Sequence, residues 1–367
     1  MSTAFIWHER YMWHDQRTYA DWLPPEALFE PEPALESPET KRRFRNLIEA
    51  SGMATHLDWL VPRPATEEEV LRLHTRPYLE RIRTLSAGTG GDAGEGTPFG
   101  RGSYEIALLA AGGCITAVDA VLDGRVHNAY ALVRPPGHHA EADRGRGYCI
   151  FGNTAIAALH ARTARGLARV AIVDWDVHHG NGTESAFESD PSVLTISLHQ
   201  ANHYPAGRGN VADNGVGDGI GANVNVPLPA GAGRAAYVHA LTEVVLPALD
   251  RFRPELILVA CGLDASAMDP NARMNLTPRC FAELTRLVAD AAARLCDGRL
   301  VLCHEGGYSS MYVPYCGLAV LEALTGHDCG VPYDLLVDGD PGGIPVHDHE
   351  RAAVAAAAAN VARVPTP

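Results

Sequence analysis

The sequence predicts a single α/β domain in which a mostly parallel β-sheet is covered by helices on both faces. Three observations predict it. Five short apolar, β-branched runs recur between residues 130 and 307, helical periodicity fills most of the intervals, and each run turns polar at its C-terminal end. Strands that alternate with helices build a parallel sheet, because a parallel neighbour is reached only through a long crossover.

The elements follow in order. Residues 1–40 read as an N-terminal segment with a Pro- and Glu-rich surface loop over 17–40. An aromatic head (Trp7, Tyr11, Trp13, Tyr19, Trp22) is expected to pack on the core, or else against another subunit of a homo-oligomer. The Gly-rich stretch 86–102 reads as a second loop. Helical periodicity over 103–123 precedes a strand at 130–134, and a helix over 153–167 precedes a strand at 169–176. A strand at 193–199 leads to a helix over 235–252 and a strand at 255–264. Thr277-Pro278 is an N-cap with proline at the first helical position, which starts a helix over 277–297 before the last strand, 299–307. Within the C-terminal helix and tail (345–367), RAAVAAAAANVARV (351–364) is rich in the best helix former. No linker interrupts this order, so one domain is expected over 1–367.

Composition excludes several classes. A formal charge of −14 disfavours a nucleic-acid surface, which needs clustered Lys and Arg. No uninterrupted apolar run reaches the roughly 18 residues that cross a membrane. The opening MSTAFIWHERYMWH lacks a basic region followed by an apolar one, so no export signal is expected. Eight cysteines occur without a CxxC, and Cys114, Cys261, Cys296 and Cys303 lie in apolar segments, as buried thiols of a reducing compartment do. The protein is expected to be cytoplasmic.

In an open parallel sheet, ligands bind beyond the carboxyl ends of the strands. Those ends carry Arg134-Pro-Pro-Gly-His138-His139, then Asp174-Trp-Asp176-Val-His178-His179-Gly-Asn181, then His199, Asp264 and Glu305-Gly-Gly-Tyr308. One such end reads as a satisfied buried polar residue; five together read as a site. In an extended chain alternate residues share a face, so Asp176 and His178 can point to one place. Asp oxygen and His nitrogen suit zinc, and a catalytic zinc takes three protein ligands. Asp264, otherwise a good helix N-cap, is the natural third. His138 and His139 can serve as base and acid near neutral pH, and Tyr308 can donate to a developing oxyanion.

Taken together, RPPGHHA (134–140), GYCIFGN (147–153), VDWDVHHGNGT (173–183), SLH (197–199), GLDA (262–265) and EGGY (305–308) closely resemble the histone deacetylase superfamily. The resemblance runs over residues 5–326, with the motifs in the family's order. Asn181 and Glu305 look like class II, and DASAMDPNARM (264–274) with VPYCGLAVLEALTG (313–326) resembles bacterial histone-deacetylase-like amidohydrolases. It implies an arginase/deacetylase-like fold with the active site at the strand C-terminal ends, and removal of acetyl-type groups from acylated amines such as acyl-lysine.

It also implies roles. Asp176, His178 and Asp264 would bind one Zn²⁺. His139 would be general base and then acid, His138 an electrostatic partner oriented by Asp174, Asn181 the neutral partner of His139, and Tyr308 the group that polarises the acyl carbonyl. A structural K⁺ would sit on main-chain oxygens of Asp174, Asp176, His178, Ser197 and Leu198, and a second near Phe187, Asp190 and Val193. Gly147, Tyr148, Tyr204 and Asn271 would form the acyl channel, where Tyr replaces the family's Phe and Asn271 its Leu. Both changes make the entrance more polar.

Three rival readings each require residues that differ from those present. An arginase-like ureohydrolase needs two further metal-binding Asp residues where this sequence has Gly180 and Ser266. An inactive acyl-binding protein should have lost a ligand, a histidine or the tyrosine. A serine hydrolase should carry a GxSxG elbow. Acylpolyamines and other small amides stay open as substrates, with Asp92 and Glu95 available as an acidic gate.

Overall fold

The computed structural model describes residues 2–17, 30–332 and 345–367. Eight strands form one sheet: β1 (Thr3–Ile6), β2 (Asp58–Leu60), β3 (Asn128–Ala131), β4 (Val170–Asp174), β5 (Val193–Gln200), β6 (Asn223–Leu228), β7 (Leu256–Cys261) and β8 (Leu300–His304). Their order is β6-β5-β4-β7-β8-β3-β1-β2, and every neighbouring pair is parallel.

Alternation along each strand divides the core. Ala171 and Val173 face one cluster with Val259 and Leu302, covered by helices Pro38–Ala50, Pro278–Cys296 and Val313–Thr325. Val170 and Ile172 face the other with Leu258 and Val301, covered by Ser103–Leu122 and Asn153–Thr163. The strands are therefore apolar throughout, as sheets buried on both faces must be. Helix Ser103–Leu122 is long and apolar enough to cross a membrane, but most of it is buried inside the fold.

The five predicted strands are present, with three more at the ends of the sheet (β1, β2, β6). Several expectations change. Residues 17–40 are not all loop: Pro38 opens a helix capped by Ser37, and Glu36 is buried. Glu36 accepts from Lys41 Nζ (2.7 Å) and Arg134 Nε (2.8 Å), while Arg134 also donates to the main chain of Tyr11 and His14. Arg134 thus ties the N-terminal segment to the turn that carries the histidine pair.

Of the aromatic head, Tyr11 is buried, Trp7 is partly buried on the core and Trp13 is exposed; Tyr19 and Trp22 lie outside the described residues. The predicted helix 235–252 contains a π-helical stretch, Leu241–Val245. The C-terminal helix spans Asp348–Ala358, followed by a 3₁₀ turn. Thr277 sits at the N-cap, but its hydroxyl meets Cys280 Sγ (3.2 Å) instead of capping the backbone. The Gly-rich loop pairs Gly94–Glu95 with Gly145–Arg146. All eight cysteines are free thiols.

Candidate metal centre and acyl pocket

The connection from β4 leads to β5 on one side, and that from β7 leads to β8 on the other. The crevice between β4 and β7 is therefore the switch point where such sheets bind ligands. Asp176 and His178 follow β4, and Asp264 follows β7.

The segment after Asp174 is not extended, as alternation had assumed. Asp174 Oδ1 accepts the N–H of Asp176 (3.0 Å), and Asp176 Oδ1 accepts the N–H of His178 (2.9 Å). Two successive Asx turns curl the chain and bring Asp176 and His178 together. Asp264 Oδ1 accepts the N–H of Val177 (2.8 Å), which leaves Oδ2 3.1 Å from His178 Nδ1; Asp176 Oδ1 is also 3.1 Å from that nitrogen.

These three buried side chains offer ligand atoms within 4.8 Å of one another, and they fit a divalent cation. Burial and the neighbouring Asp176 push the Asp264 carboxyl up to about 6, so the pair of carboxylates calls for a positive charge between them. Backbone makes room for it. A Cβ on Gly306 would stand 2.2 Å from Asp264 Oδ2 and 2.6 Å from Asp176 Oδ2, so only glycine permits that approach. Two carboxylates and one imidazole are an accepted donor set for zinc.

The histidine pair is differentiated by its partners. Nδ1 of His138 lies 2.9 Å from Asp174 Oδ2. Burial opposes its charge, but Asp176 and Asp174 overcome that and hold the imidazole well above its usual pKa. Nδ1 of His139 lies 2.7 Å from Asn181 Oδ1. Burial, then the charges of His138 and His178, hold His139 well below the usual value. The Asn181 orientation is fixed, because its Nδ2 donates to Glu141 Oε1 (2.8 Å) and His139 O (3.3 Å). The amide oxygen therefore faces His139, Nδ1–H donates to it, and Nε2 carries the free lone pair.

A pocket of about 470 Å³ is lined by His139, His178 and Tyr308 together with the four predicted channel residues Gly147, Tyr148, Tyr204 and Asn271. The rings of Tyr148 and Tyr308 are 5.9 Å apart, and that of Tyr204 stands edge-on to His139 at 5.0 Å. Burial, then Asp264 and Asp176, raise the Tyr308 phenol well above its usual value, so it remains a donor. Of the two acidic candidates in the Gly-rich loop, Glu95 lines the pocket and is bound by Arg146 (2.6 Å), whereas Asp92 accepts from Gly94 and Thr97 within its own turn.

Sequence reasoning missed three groups. His203 lines the pocket and stacks on His178, with ring centroids 5.1 Å apart. Glu305 had no role assigned, yet its Oε2 accepts the N–H of Gly137 (2.6 Å) and His138 (3.0 Å) and so clamps the histidine turn. Asp269 had no role assigned either, yet it accepts the N–H of Tyr308 (2.8 Å). The residues expected at the first K⁺ adjoin the centre, with Asp174 paired in register to Ser197; Phe187, Asp190 and Val193 form the turn between helix Asn181–Phe187 and β5.

The Histone deacetylase domain family matches residues 34–324. The chain is 50% identical over 327 residues to a histone deacetylase-like amidohydrolase of Pseudomonas aeruginosa, covering 88% of this chain and 86% of that one. It is 38% identical over 359 residues to the human polyamine deacetylase HDAC10, covering 93% of this chain and 49% of that longer protein. The crystal structure of the HDA15 HD domain superposes with a TM-score of 0.86 at 32% identity, over 99% of this chain and 94% of that one. The chain belongs to the histone deacetylase family.

Proposed function

We propose that this family member is a zinc-dependent amidohydrolase that removes acetyl-type groups from acylated amines, with acyl-lysine as the leading substrate class. One observation carries the reading: His139, His178 and Tyr308 line one pocket, and His178 belongs to the buried Asp176–His178–Asp264 cluster. Zinc held by those three residues would supply Lewis-acid polarisation of the acyl carbonyl and of the attacking water.

The chain's own groups do the rest. His139 Nε2 takes a proton from the attacking water and later returns it to the departing amine nitrogen. General base catalysis of this kind contributes about 10²- to 10⁴-fold. His138 stays cationic against Asp174 and keeps its neighbour neutral. The Tyr308 hydroxyl donates to the acyl oxygen as it gains charge, and Tyr148 and Tyr204 flank the acyl chain. Structural K⁺ ions at the two expected clusters are part of the proposal, supported by their placement beside the centre and at the turn before β5. The exposed Trp13 supports self-assembly, which light scattering would test.

An acylpolyamine substrate is the second reading, and Glu95 at the pocket favours it. Arg146 answers that charge within the protein, which keeps acyl-lysine first. The deciding experiment compares acetyl-lysine peptide, trifluoroacetyl-lysine peptide, acetylputrescine and acetylspermidine on chelator-stripped enzyme reloaded with Zn²⁺ or Fe²⁺. Zinc-restored turnover led by the peptides supports the proposal. Turnover led by polyamines moves it to the second reading, and turnover indifferent to chelation removes the metal from it.

A further inference from the structure

We propose that Asp269 is a positioning residue that couples the catalytic tyrosine to the mouth of the acyl pocket. The inference rests on the role given above to Tyr308. Asp269 is buried, and each of its carboxylate oxygens takes one backbone N–H: Oδ2 from Tyr308 (2.8 Å) and Oδ1 from Asn271 (2.9 Å). Its own N–H donates to Ser266 O (3.1 Å), which fixes the turn that presents it.

The coupling reaches further through Asn271. Its carbonyl accepts from His203 Nε2 (3.0 Å), and the His203 ring stacks on His178 at an interplanar angle of 25°. One carboxylate therefore joins three loops: the one that carries Tyr308, the one that rims the pocket at Asn271, and the one that carries His203 and Tyr204. Tyr308 needs such an anchor. It follows Gly306-Gly307, and Gly307 has φ +134°, a conformation that side chains rarely adopt. Gly306 is held by Asp176 Oδ2 (2.8 Å) and by the N–H of Leu263 (2.9 Å), and beyond the permissive Gly307 the bond from Asp269 fixes the main chain at the tyrosine itself. Misplacing a reacting group by 1 Å can cost about 10²-fold in rate.

Asparagine is the discriminating substitution. It keeps size and hydrogen-bonding character but has one acceptor oxygen for two N–H donors, so one donor meets an NH₂ group instead. The experiment is a double-variant cycle on zinc-loaded full-length protein with acetyl-lysine peptide. Wild type, Asp269→Asn, Tyr308→Phe and the double variant are compared for kcat, KM and bound zinc. The expected result is a kcat loss of about 10- to 100-fold for D269N, with KM within about threefold and zinc unchanged. In the Tyr308→Phe background, D269N should cost little more, because the hydroxyl it positions is gone.

Equal losses in both backgrounds, unchanged kcat in D269N, or loss of zinc would each overturn the proposal. If D269N does not fold, Asp269→Glu keeps both oxygens one methylene away. It should lose part of kcat with the same dependence on the Tyr308 hydroxyl, and an equal loss without that hydroxyl overturns the proposal equally. Near-normal turnover in Tyr308→Phe alone would instead remove the oxyanion role, a separate failure.

Discussion

His139 Nδ1 and Asn181 Oδ1 lie 2.7 Å apart, a neutral pairing beside the ionic one of His138 with Asp174. The amide orients the ring without stabilising its cation, so His139 rests deprotonated while its neighbour is charged. Replacing Asn181 by Asp would put a negative charge on the same atom and raise the His139 pKa. The base works when unprotonated, so kcat/KM rises with pH through that pKa, and raising it moves the rising limb to higher pH. A pH–rate profile of Asn181→Asp should lose activity on the acid side while keeping its plateau; an unmoved limb would show that another group sets it.

Gly306→Ala should empty the proposed metal site without replacing any of its ligands. The added Cβ falls 2.2 Å from Asp264 Oδ2 and 2.6 Å from Asp176 Oδ2, and neither backbone nor carboxylate can retreat within a parallel core. Elemental analysis should find substoichiometric zinc. The thermal midpoint should stop responding to added zinc, since an ion bound only by the native state stabilises it by mass action. Full zinc occupancy in this variant would mean that the ion sits elsewhere.

Arg146→Gln should change preference more than rate. Its guanidinium holds Glu95 at the pocket, and removing it leaves an unanswered carboxylate there. Exposed pairs are worth about 0.2–1 kcal/mol, so kcat/KM for acetylspermidine relative to acetyl-lysine peptide should rise about 1.4- to fivefold. The gain should fade at high salt. No relative gain at low salt would mean that Glu95 does not meet the substrate chain.

Acid stability depends on Glu69, whose carboxylate takes two bonds from Arg63 (2.6 and 2.8 Å) and the N–H of Thr66 (2.8 Å). Burial raises its pKa, but these donors outweigh it and hold the group at about 2, against an ordinary 4.5. The contribution is fully present above 4.5 and is lost as pH falls toward 2, because the unfolded chain takes up the proton first. Thermal midpoints of Glu69→Gln measured across that window should fall less steeply than those of wild type. Parallel curves would place the acid sensitivity elsewhere.

The central strands were legible because burial on both faces makes them continuous apolar runs, and their polar ends marked the pocket. β1 and β2 were hidden by brevity: Asp58–Leu60 is a three-residue strand with nothing to alternate. β6 was hidden because Asn223 and Asn225 break its apolar pattern, and both donate to the buried Glu184. That Asp176, His178 and Asp264 come together was readable from residue types and the order of strand ends, although the local path is turned, not extended. Asp269 and Glu305 act on backbone N–H groups. A side chain that serves the main chain leaves no pattern of partner residues, so its role appears only once the chain is folded.

Gly147 has a φ of +51°, and a Cβ there would stand 2.4 Å from the His139 ring and 3.0 Å from Tyr204. Pocket width and base orientation are thus one variable at this position. A bulkier residue could not narrow the passage for smaller acyl groups without tilting the His139 imidazole. Divergence toward new substrates is barred from this wall and pushed to Tyr204, His203 and Asn271, where selectivity can drift while the proton path stays still.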